Sequence, residues 1–396
     1  MPITHRRAVR RAATACAAAV LAVLVSVPAE VGAAAGGRPD VLQRDADALR
    51  ATGVTGVSAR LATPRGVRTA RSGVADLRTR QPVPQDEYLR IGSTTKTFVA
   101  TVMLQLAGEG RLSLDDSVER WLPGAVRGQG NDGRRITLRQ LLQHTSGLPD
   151  YTGDVVPDLS PDGYRRNRAA TYTPEQRVAF AMRHRPLFAP GTEWKYSNTN
   201  YILASMVIKA VTGRSWEKEV RSRILQPLRL DRTVLPGNDP LLRGPHARNY
   251  QQFAPAGPMT DTTIAYLPFD GDADGAVIST AADVNTFFTA LLRGRLLAPA
   301  QLADMQRTVA VPDGRDNPPG SRYGLGLEWT PLSCGGGYWG HSGSGFGYLV
   351  WPAATADGRA AVTVAAHSRP ADQGAAARQL RAMTGMVDHA LCAGRS

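Results

Sequence analysis

The chain has 396 residues, 42% of them hydrophobic and 20% charged, and a formal net charge of +13. A chain of this length can bury a large core and fold as one composite domain or as two. Its basic residues form neither a lysine-rich run nor a patch interleaved with aromatic residues, which argues against a nucleic-acid-binding protein. Neither Cys-x-x-Cys nor His-Glu-x-x-His occurs, so nothing predicts a metal or another cofactor.

Residues 1–33 have the pattern of a secretory signal peptide. Four arginines precede the small, apolar stretch 12–27, and residues 31–33 offer a cleavage site. A retained membrane anchor is the alternative, but the apolar stretch is short and rich in alanine. The sequence therefore predicts a secreted, extracellular protein without a stable membrane anchor. Its remaining net charge of about +10 predicts association with anionic cell-wall polymers.

The elements of the mature chain are predicted from hydrophobic periodicity and turn residues. In chain order they are helix 41–51; strands 55–62 and 67–74; a helix that begins near Ser93 and buries one face; helices 136–144, 174–184, 200–211 and 215–224; an irregular stretch 237–274; helix 280–293; strands 325–332, 338–343, 345–351 and 360–366; and helix 371–391. Loops are predicted at 151–171 and 186–191. This order predicts an α/β domain built from residues 38–100 and 265–393, with a mainly helical subdomain, 101–264, inserted between them.

The stretch Ser93-Thr94-Thr95-Lys96 opens the predicted helix that follows Gly92. Its first turn favours developing negative charge, and Lys96 lies on the same face as the serine. A partly desolvated amine can remove the serine proton and make the hydroxyl a nucleophile. The alternative is a helix cap beside a surface lysine. Residues 215–218 repeat the Ser-x-x-Lys spacing after a helix break, where an ordinary N-cap is the better interpretation.

Two further stretches carry candidate site residues. Tyr196 and Asn198 precede the predicted helix 200–211, where a phenol with a pKa lowered by ammonium groups can relay protons and an amide can hold a lysine or a substrate carbonyl. His341 belongs to a glycine-rich stretch, 340–345, that is poorly suited to a central strand but suited to close ligand approach. The alternatives are a capped turn with a packed tyrosine and a structural histidine beside a hairpin.

Together these motifs resemble the serine β-lactamase and penicillin-binding family in its class C branch, and most closely the secreted actinomycete D-alanyl-D-alanine carboxypeptidases. The resemblance rests on Ser93–Lys96, His144–Leu148, Tyr196–Asn200, Gly275–Ser279, Tyr323–Leu327, Leu332–Gly335 and His341–Gly343. It implies a β-lactamase/transpeptidase-like fold, an antiparallel sheet flanked by helices. It covers essentially all of the mature chain.

The resemblance implies a serine hydrolase that works through an acyl-enzyme on Ser93. Lys96, Tyr196 and His341 are then the further catalytic residues, and the N–H groups of Ser93 and Ser344 form the oxyanion hole. Asn198, Ser342, Gly343 and Ser344 bind a peptide or ester substrate, and β-lactams acylate the same serine.

Cysteine usage predicts a single disulfide. Cys16 is removed with the signal peptide, which leaves Cys334 and Cys392, and two cysteines in an exported chain more often pair than stay free. The family's cysteine pair supports this bridge, and two buried thiols are the alternative. In the chain-entropy model, closing this loop stabilises the fold by about 4 kcal/mol.

One departure from the family bears on the substrate. Those carboxypeptidases carry an arginine that helps bind the terminal carboxylate of the peptide, and the matching residue here is Glu328. A carboxylate facing the cleft repels a carboxylate substrate, and Arg248 or Arg322 is a candidate for a replacement positive charge. Carboxypeptidase is the leading function. Esterase, D-aminopeptidase, β-lactamase and an inactive wall-binding relative are the alternatives.

Overall fold

An antiparallel sheet of nine strands organises residues 40–312 and 318–393, which the computed structural model describes. The predicted signal peptide lies outside these described residues. From one edge of the sheet to the other the strands are Gly66–Gly73, Gly56–Thr63, Ala361–Ala366, Tyr348–Thr355, Gly337–Gly340, Glu328–Pro331, Arg322–Tyr323 and Val309–Ala310. The ninth strand, Gly343–Gly345, continues the Gly337–Gly340 strand and pairs with the same neighbour, so His341 and Ser342 interrupt the ladder.

Short strand pairs and helices complete the fold. The minor pairings join Leu89–Arg90 to Ile278–Ser279, Arg127–Gly128 to Asn131–Asp132, and Tyr250–Gln252 to both Met259–Asp261 and Ser368–Arg369. The helices are Val41–Ala51, Thr95–Gly108, Val118–Trp121, Leu138–Gln143, Thr152–Val155, Pro161–Asn167, Pro174–Ala181, Thr199–Thr212, Trp216–Val220, Gln226–Leu228, Leu267–Asp270, Ala281–Leu292, Pro299–Met305 and Gln373–Cys392. In the described part of the chain, no helix combines the length and apolar character of a bilayer span.

The central strands bury both faces, so the sheet separates two cores. In the strand Ala361–Ala366, Val362 and Val364 pack toward the terminal helices Val41–Ala51 and Gln373–Cys392. Ala361 and Ala365 pack on the opposite side. This alternation follows from the two-residue period of a strand. The predicted antiparallel sheet flanked by helices is confirmed.

The Thr95–Gly108 helix is more deeply buried than its sequence pattern predicts. Every residue from Thr95 to Leu104 is buried, so the prediction of one buried face is wrong. The ring of Phe98 stacks on Phe287 at 3.7 Å between centroids, and the helix Thr199–Thr212 belongs to the same core. Because threonines on this helix hydrogen-bond to neighbouring backbone, its polar positions are satisfied inside the core. Thr97 Oγ1, for example, donates to the Gly326 carbonyl at 2.7 Å.

Two further differences between the predicted and observed elements arise at a glycine and at a helix N-cap. The predicted strand 325–332 is a strand only over Glu328–Pro331, because the backbone at Gly326 takes a left-handed φ of +68° and approaches the Thr95–Gly108 helix. The predicted loop 151–171 contains two short helices. One of them begins at Pro161, where the Ser160 side chain caps the N–H of Gly163.

Candidate active site

Ser93 lies in a tight turn, Gly92–Thr94, immediately before the Thr95–Gly108 helix. Gly92 has φ +48°, and a Cβ atom on it would lie 2.8 Å from the backbone nitrogen of Ser344. Only glycine permits both the left-handed backbone and this approach. The turn therefore holds Ser93 against the strand Gly343–Gly345, so the two predicted oxyanion-hole residues lie in one corner of the molecule.

The predicted substrate-binding Gly343 has a packing role at the same contact. A Cβ atom on Gly343 would lie 1.8 Å from the carbonyl oxygen of Ile91, a distance that no side chain tolerates. Thr94 Oγ1 donates to the His341 carbonyl at 2.7 Å and ties the turn to the strand on its other side. These two contacts fix the distance between the nucleophile and the strand along which a ligand would lie.

Lys96 is fully buried and aimed at Ser93. Its Nζ lies 3.0 Å from Ser93 Oγ, 2.7 Å from Asn198 Oδ1 and 2.6 Å from the Asp274 carbonyl oxygen. Burial lowers the pKa of this amine to about 8, although nearby carboxylates, Asp274 foremost, act in the opposite direction. A substantial fraction of Lys96 is therefore neutral near pH 8 and able to accept the Ser93 proton.

Tyr196 completes the group of side chains around the serine. Its ring centroid lies 5.0 Å from Lys96 Nζ, and its hydroxyl finds no hydrogen-bond partner among the described residues. Burial raises its pKa well above 10, and this effect outweighs the opposite influence of the Ser93 hydroxyl. The predicted lowering of the phenol pKa is therefore wrong. Tyr196 therefore stays protonated, so its hydroxyl is able to donate a proton, and Lys96 is the more basic group of the pair.

His144, which motif analysis gave no role, positions the loop that carries Tyr196. It ends the Leu138–Gln143 helix in the left-handed region at φ +61°. Its carbonyl accepts from Lys195 N at 3.0 Å, its Nδ1 accepts from Ser197 N at 3.2 Å, and its ring lies 4.2 Å from the Tyr196 ring. Burial lowers its pKa well below 6.5, so the imidazole is neutral and suited to accept these bonds.

Asn198 faces Lys96 with its oxygen and Asp150 with its nitrogen. Nδ2 donates to Asp150 Oδ2 at 2.9 Å. Asn198 also lines the cleft, and the second N–H of its amide remains available to a substrate carbonyl. The predicted substrate-binding residue thus also belongs to the structure that holds the lysine.

His341 is buried away from the reacting atoms. Its Nε2 lies 2.8 Å from the Tyr323 hydroxyl, and its Nδ1 lies 2.8 Å from the Ser342 carbonyl and 3.5 Å from Glu328 Oε1. Neither ring nitrogen bonds to Ser93, Lys96 or Tyr196, so His341 does not join the hydrogen-bonded group around the serine, and its predicted catalytic role stays a prediction. Burial lowers its pKa to about 3, and the ring is neutral at physiological pH.

We call the segment 340–345 and the strand Glu328–Pro331 beside it the strand wall. The carboxyl group of Glu328 points toward Ser342 of that wall. Its Oε2 accepts a hydrogen bond from Ser342 N at 3.2 Å, and 22% of its side chain is exposed. Burial raises its pKa to about 7, and its negative charge acts on the pKa values of Lys96 and Tyr196. Glu328 does not line the cleft, but above neutral pH its charge acts on Lys96 and Tyr196 from behind Ser342.

Some of these groups border a cleft of about 550 Å³. Its walls include Ser93, Tyr196, Asn198, Asp274 and Ser344 together with Val156, Leu159, Phe269, Phe346 and Arg369. Arg248 and Arg322, the two suggested replacement cations, do not line it. Arg248 pairs with Asp76 and Asp261, and Arg322 donates to Thr308. Within residues 40–312 and 318–393, no group of three or more acidic, histidine or cysteine side chains is arranged to hold a metal ion.

The predicted pairing of the two cysteines is present in the structure. Cys334 and Cys392 are joined by a disulfide with an S–S distance of 2.02 Å. Cys392 is the last residue of the Gln373–Cys392 helix, and Cys334 precedes the strand that leads to His341. The bridge therefore fastens the C-terminal helix to the strand side of the site.

Comparison with known proteins places this arrangement among hydrolases. The chain is 41% identical to a D-stereospecific amidohydrolase from Streptomyces sp., with a TM-score of 0.78 over 85% of this chain and 97% of that one. A D-amino acid amidase from Ochrobactrum anthropi SV3, solved with L-phenylalanine amide, is 28% identical, with a TM-score of 0.72 over 87% and 98% of the two chains.

Sequence similarity also extends to penicillin-binding proteins. Penicillin-binding protein 4* of Bacillus subtilis (strain 168) is 30% identical over 164 residues, 41% of this chain. The match spans only 33% of that relative's length. The family model described as Beta-lactamase matches residues 42–384. The chain thus belongs to the β-lactamase family and has the β-lactamase/transpeptidase-like fold.

Proposed function

We propose that the protein hydrolyses amides of D-amino acids whose leaving group carries no carboxylate, through an acyl-enzyme on Ser93. The observation that carries the proposal is the Glu328 carboxyl group, which is hydrogen-bonded to Ser342 N and whose charge reaches Lys96 and Tyr196. Like charges brought together in a partly desolvated site repel each other by several kcal/mol. A substrate ending in a free carboxylate is therefore disfavoured, whereas ammonia, an amine or an alcohol leaves without this penalty.

Similarity to D-amino acid amidases supports the same substrate class. The apolar walls of the cleft, Val156, Leu159, Phe269 and Phe346, suit a hydrophobic or aromatic side chain on the acyl group. D-alanyl-D-alanine carboxypeptidase activity stays a prediction, and the charge of Glu328 argues against it. Esters that share the acyl group have a neutral leaving group and are expected to react as well.

In the first step, neutral Lys96 takes the hydroxyl proton of Ser93, and Oγ forms a bond to the amide carbonyl carbon. The N–H groups of Ser93 and Ser344 stabilise the resulting oxyanion. As the carbon–nitrogen bond breaks, the hydroxyl of Tyr196 gives its proton to the departing nitrogen, and the proton held by Lys96 restores the phenol. An acyl-enzyme and a free amine result.

In the second step, water replaces the amine. Neutral Lys96, with the Tyr196 hydroxyl as a relay, takes one proton from a water molecule, whose oxygen bonds to the acyl carbon. The bond to Ser93 Oγ then breaks and the serine regains its proton. The products are a D-amino acid and a regenerated enzyme, so no cofactor enters the balance.

The test compares substrates that differ only in the leaving group. Kinetics are measured on D-phenylalaninamide and its L enantiomer, and on a D-Ala-D-Ala peptide with a free C-terminal carboxylate and its C-terminal amide. We expect hydrolysis of the D amide at least about tenfold faster than of the L amide, and kcat/KM about tenfold or more higher for the amidated peptide. A higher kcat/KM for the free carboxylate than for the amide would overturn the proposal.

Labelling separates an enzyme from an inactive relative. A fluorophosphonate or a fluorescent penicillin is expected to label Ser93, and Ser93→Ala to remove the label. Absence of label with both reagents would favour the inactive wall-binding alternative. Penicillins carry a carboxylate and fluorophosphonates do not. We therefore expect the ratio of the fluorophosphonate labelling rate to the penicillin labelling rate to be higher for this protein than for a D-alanyl-D-alanine carboxypeptidase.

A further inference from the structure

The side chain of Asn198 joins two charged groups. Its Oδ1 accepts from Lys96 Nζ at 2.7 Å, while its Nδ2 donates to Asp150 Oδ2 at 2.9 Å. An ionised carboxylate only accepts hydrogen bonds, so Asp150 binds the NH2 end of the amide and not its oxygen. Asp150 thus selects which end of Asn198 faces the lysine. An amide turned the other way would present two donors to an ammonium group and an oxygen to a carboxylate.

Asp150 is itself held in place. Its Oδ1 accepts from the N–H and the hydroxyl of Thr152, at 3.0 and 2.9 Å. The preceding residue, Pro149, accepts at its carbonyl a hydrogen bond of 2.7 Å from Thr199 Oγ1, next to Asn198 in sequence. Two short segments are therefore tied to each other on both sides of the Asp150–Asn198 contact. Asp150 does not line the cleft, so it acts on the reaction through Asn198.

The charge of Asp150 acts on the same lysine. Burial of Lys96 lowers its pKa, and the carboxylates of Asp274, Asp150 and Glu328 oppose that effect. Asp274 supplies its own carbonyl to Lys96 and binds Tyr151 through its carboxyl group, and Glu328 belongs to the strand wall. Asp150 is the carboxylate that reaches Lys96 through a neutral amide, so its charge can be removed without removing a direct ligand of the lysine.

We propose that Asp150 is a positioning residue for the reaction: it orients Asn198 so that Lys96 stays aimed at Ser93, and its negative charge, added to that of Asp274, raises the pH at which the lysine begins to take the serine proton. The inference rests on the serine–lysine chemistry of the proposed function and not on the substrate. Its test therefore uses a reagent that reacts with Ser93 directly. Failure of the amide assays leaves this test intact.

The experiment measures the rate of Ser93 labelling by a fluorophosphonate from pH 5 to 10 in the full chain. Asp150→Asn removes the charge and, with its oxygen toward Asn198 Nδ2, keeps that hydrogen bond, while its NH2 group replaces the oxygen that accepts from Thr152. We expect its maximal rate to stay within about threefold of the wild type, and the acid limb of its profile to move to lower pH, because Lys96 loses its proton more easily. Asp150→Ala loses the hydrogen bond too, and its rate should fall about 10- to 100-fold.

A double-mutant cycle tests whether the effect passes through Asn198. In an Asn198→Ala background, Asp150→Ala should cause less than about a twofold further loss of rate. Asp154→Asn is the matched control, because Asp154 lies four residues further on, in the helix Thr152–Val155, and pairs with His184, so its profile should superimpose on the wild type. An unmoved acid limb in Asp150→Asn, or independent losses in the cycle, would overturn the proposal. The isosteric Asp150→Asn decides the question even where Asp150→Ala fails to fold.

Discussion

The helix side and the strand side of the site hold charged groups of opposite sign, and they bury and bond them to different degrees. On the helix side a cation, Lys96, is fully buried, and oxygen atoms from Ser93, Asn198 and Asp274 lie within 3.0 Å of its Nζ. On the strand side an anion, Glu328, is partly exposed, accepts a hydrogen bond from Ser342 N and lies 3.5 Å from His341 Nδ1. A buried group with several ligands cannot change without loss of the reaction, whereas a partly exposed group can change and alter only what binds. Chemistry and substrate choice are therefore carried by different walls.

The largest effect is expected on the helix side. Lys96→Ala removes the base, and positioned bases contribute about 10²- to 10⁴-fold, so acylation of Ser93 should fall by about 10³-fold with every substrate and label. The rate of fluorophosphonate labelling measures this loss.

The chain contains a matched control for that change. Lys218 stands in a second Ser-x-x-Lys stretch, residues 215–218, and is exposed at the surface. Lys218→Ala should label at the wild-type rate. Substantial labelling of Lys96→Ala, with the melting temperature of both variants close to the wild type, would remove the lysine from the mechanism.

A smaller but still uniform loss is expected at Tyr196. Tyr196→Phe removes only the hydroxyl that protonates the leaving group, and its kcat should fall about 10²-fold for amides. Because the phenol pKa lies well above 10, the wild-type pH profile should show no limb from Tyr196 below pH 9. An ester with a good leaving group needs little proton donation, so its loss should be smaller. Equal losses for amide and ester would contradict the role as proton donor.

A change at Glu328 should alter the ratio between substrates more than the rate of acylation, although loss of its charge also moves the acid limb set by Lys96 to lower pH. In Glu328→Gln the preference for the amidated over the free-carboxylate peptide should shrink about tenfold, while kcat/KM for D-phenylalaninamide changes less than about threefold. The pKa of about 7 gives the pH dependence. Glu328 is charged above pH 7, so the wild-type preference should grow from pH 6 to 8 and that of the variant should not.

Stability offers an independent check on Glu328. Its pKa is raised in the folded state from 4.5 to about 7, so the folded protein binds the proton more tightly than the unfolded chain. The corresponding stability is present below pH 4.5 and is lost as pH rises through 7. Between pH 5 and pH 8 the melting temperature of Glu328→Gln should therefore fall by less than that of the wild type. Parallel curves would mean that the carboxyl group is not perturbed.

The contrast between the walls also explains what the sequence could predict. Ser93, Lys96, Tyr196 and Asn198 stand at helix starts, where local spacing fixes direction, and a turn or helix begins at each predicted place. The sheet follows from strand alternation in the same way. The identity of Glu328 was readable, but the direction of its side chain depends on pairing with Gly340, a contact between residues that periodicity does not relate.

Besides the direction of the Glu328 side chain, the degree of burial of the site residues could not be predicted from the sequence. Neighbouring ammonium groups suggested a lowered pKa for Tyr196, but burial decides the direction of the pKa shift and raises it. That burial comes from packing against His144 and the surrounding rings. His144 and Asp150 carry no signal of their own, since each works through a neighbour. For His341, a residue type used in catalysis is placed by the fold in a buried polar network.

His341 should therefore give the smallest effect. Its Nε2 bonds to Tyr323 and its pKa of about 3 keeps it neutral from pH 5 to 9, so it supports the strand wall without exchanging protons there. His341→Gln retains a polar atom near the Nε2 position and should lower kcat/KM by less than about tenfold, equally at every pH, with the acid limb still set by Lys96. Tyr323→Phe removes the same hydrogen bond from the other side and should match it. An acid limb that disappears in His341→Gln but persists in Tyr323→Phe would show that the imidazole titrates in the reaction. Proton transfer would then not be confined to the helix side of the site.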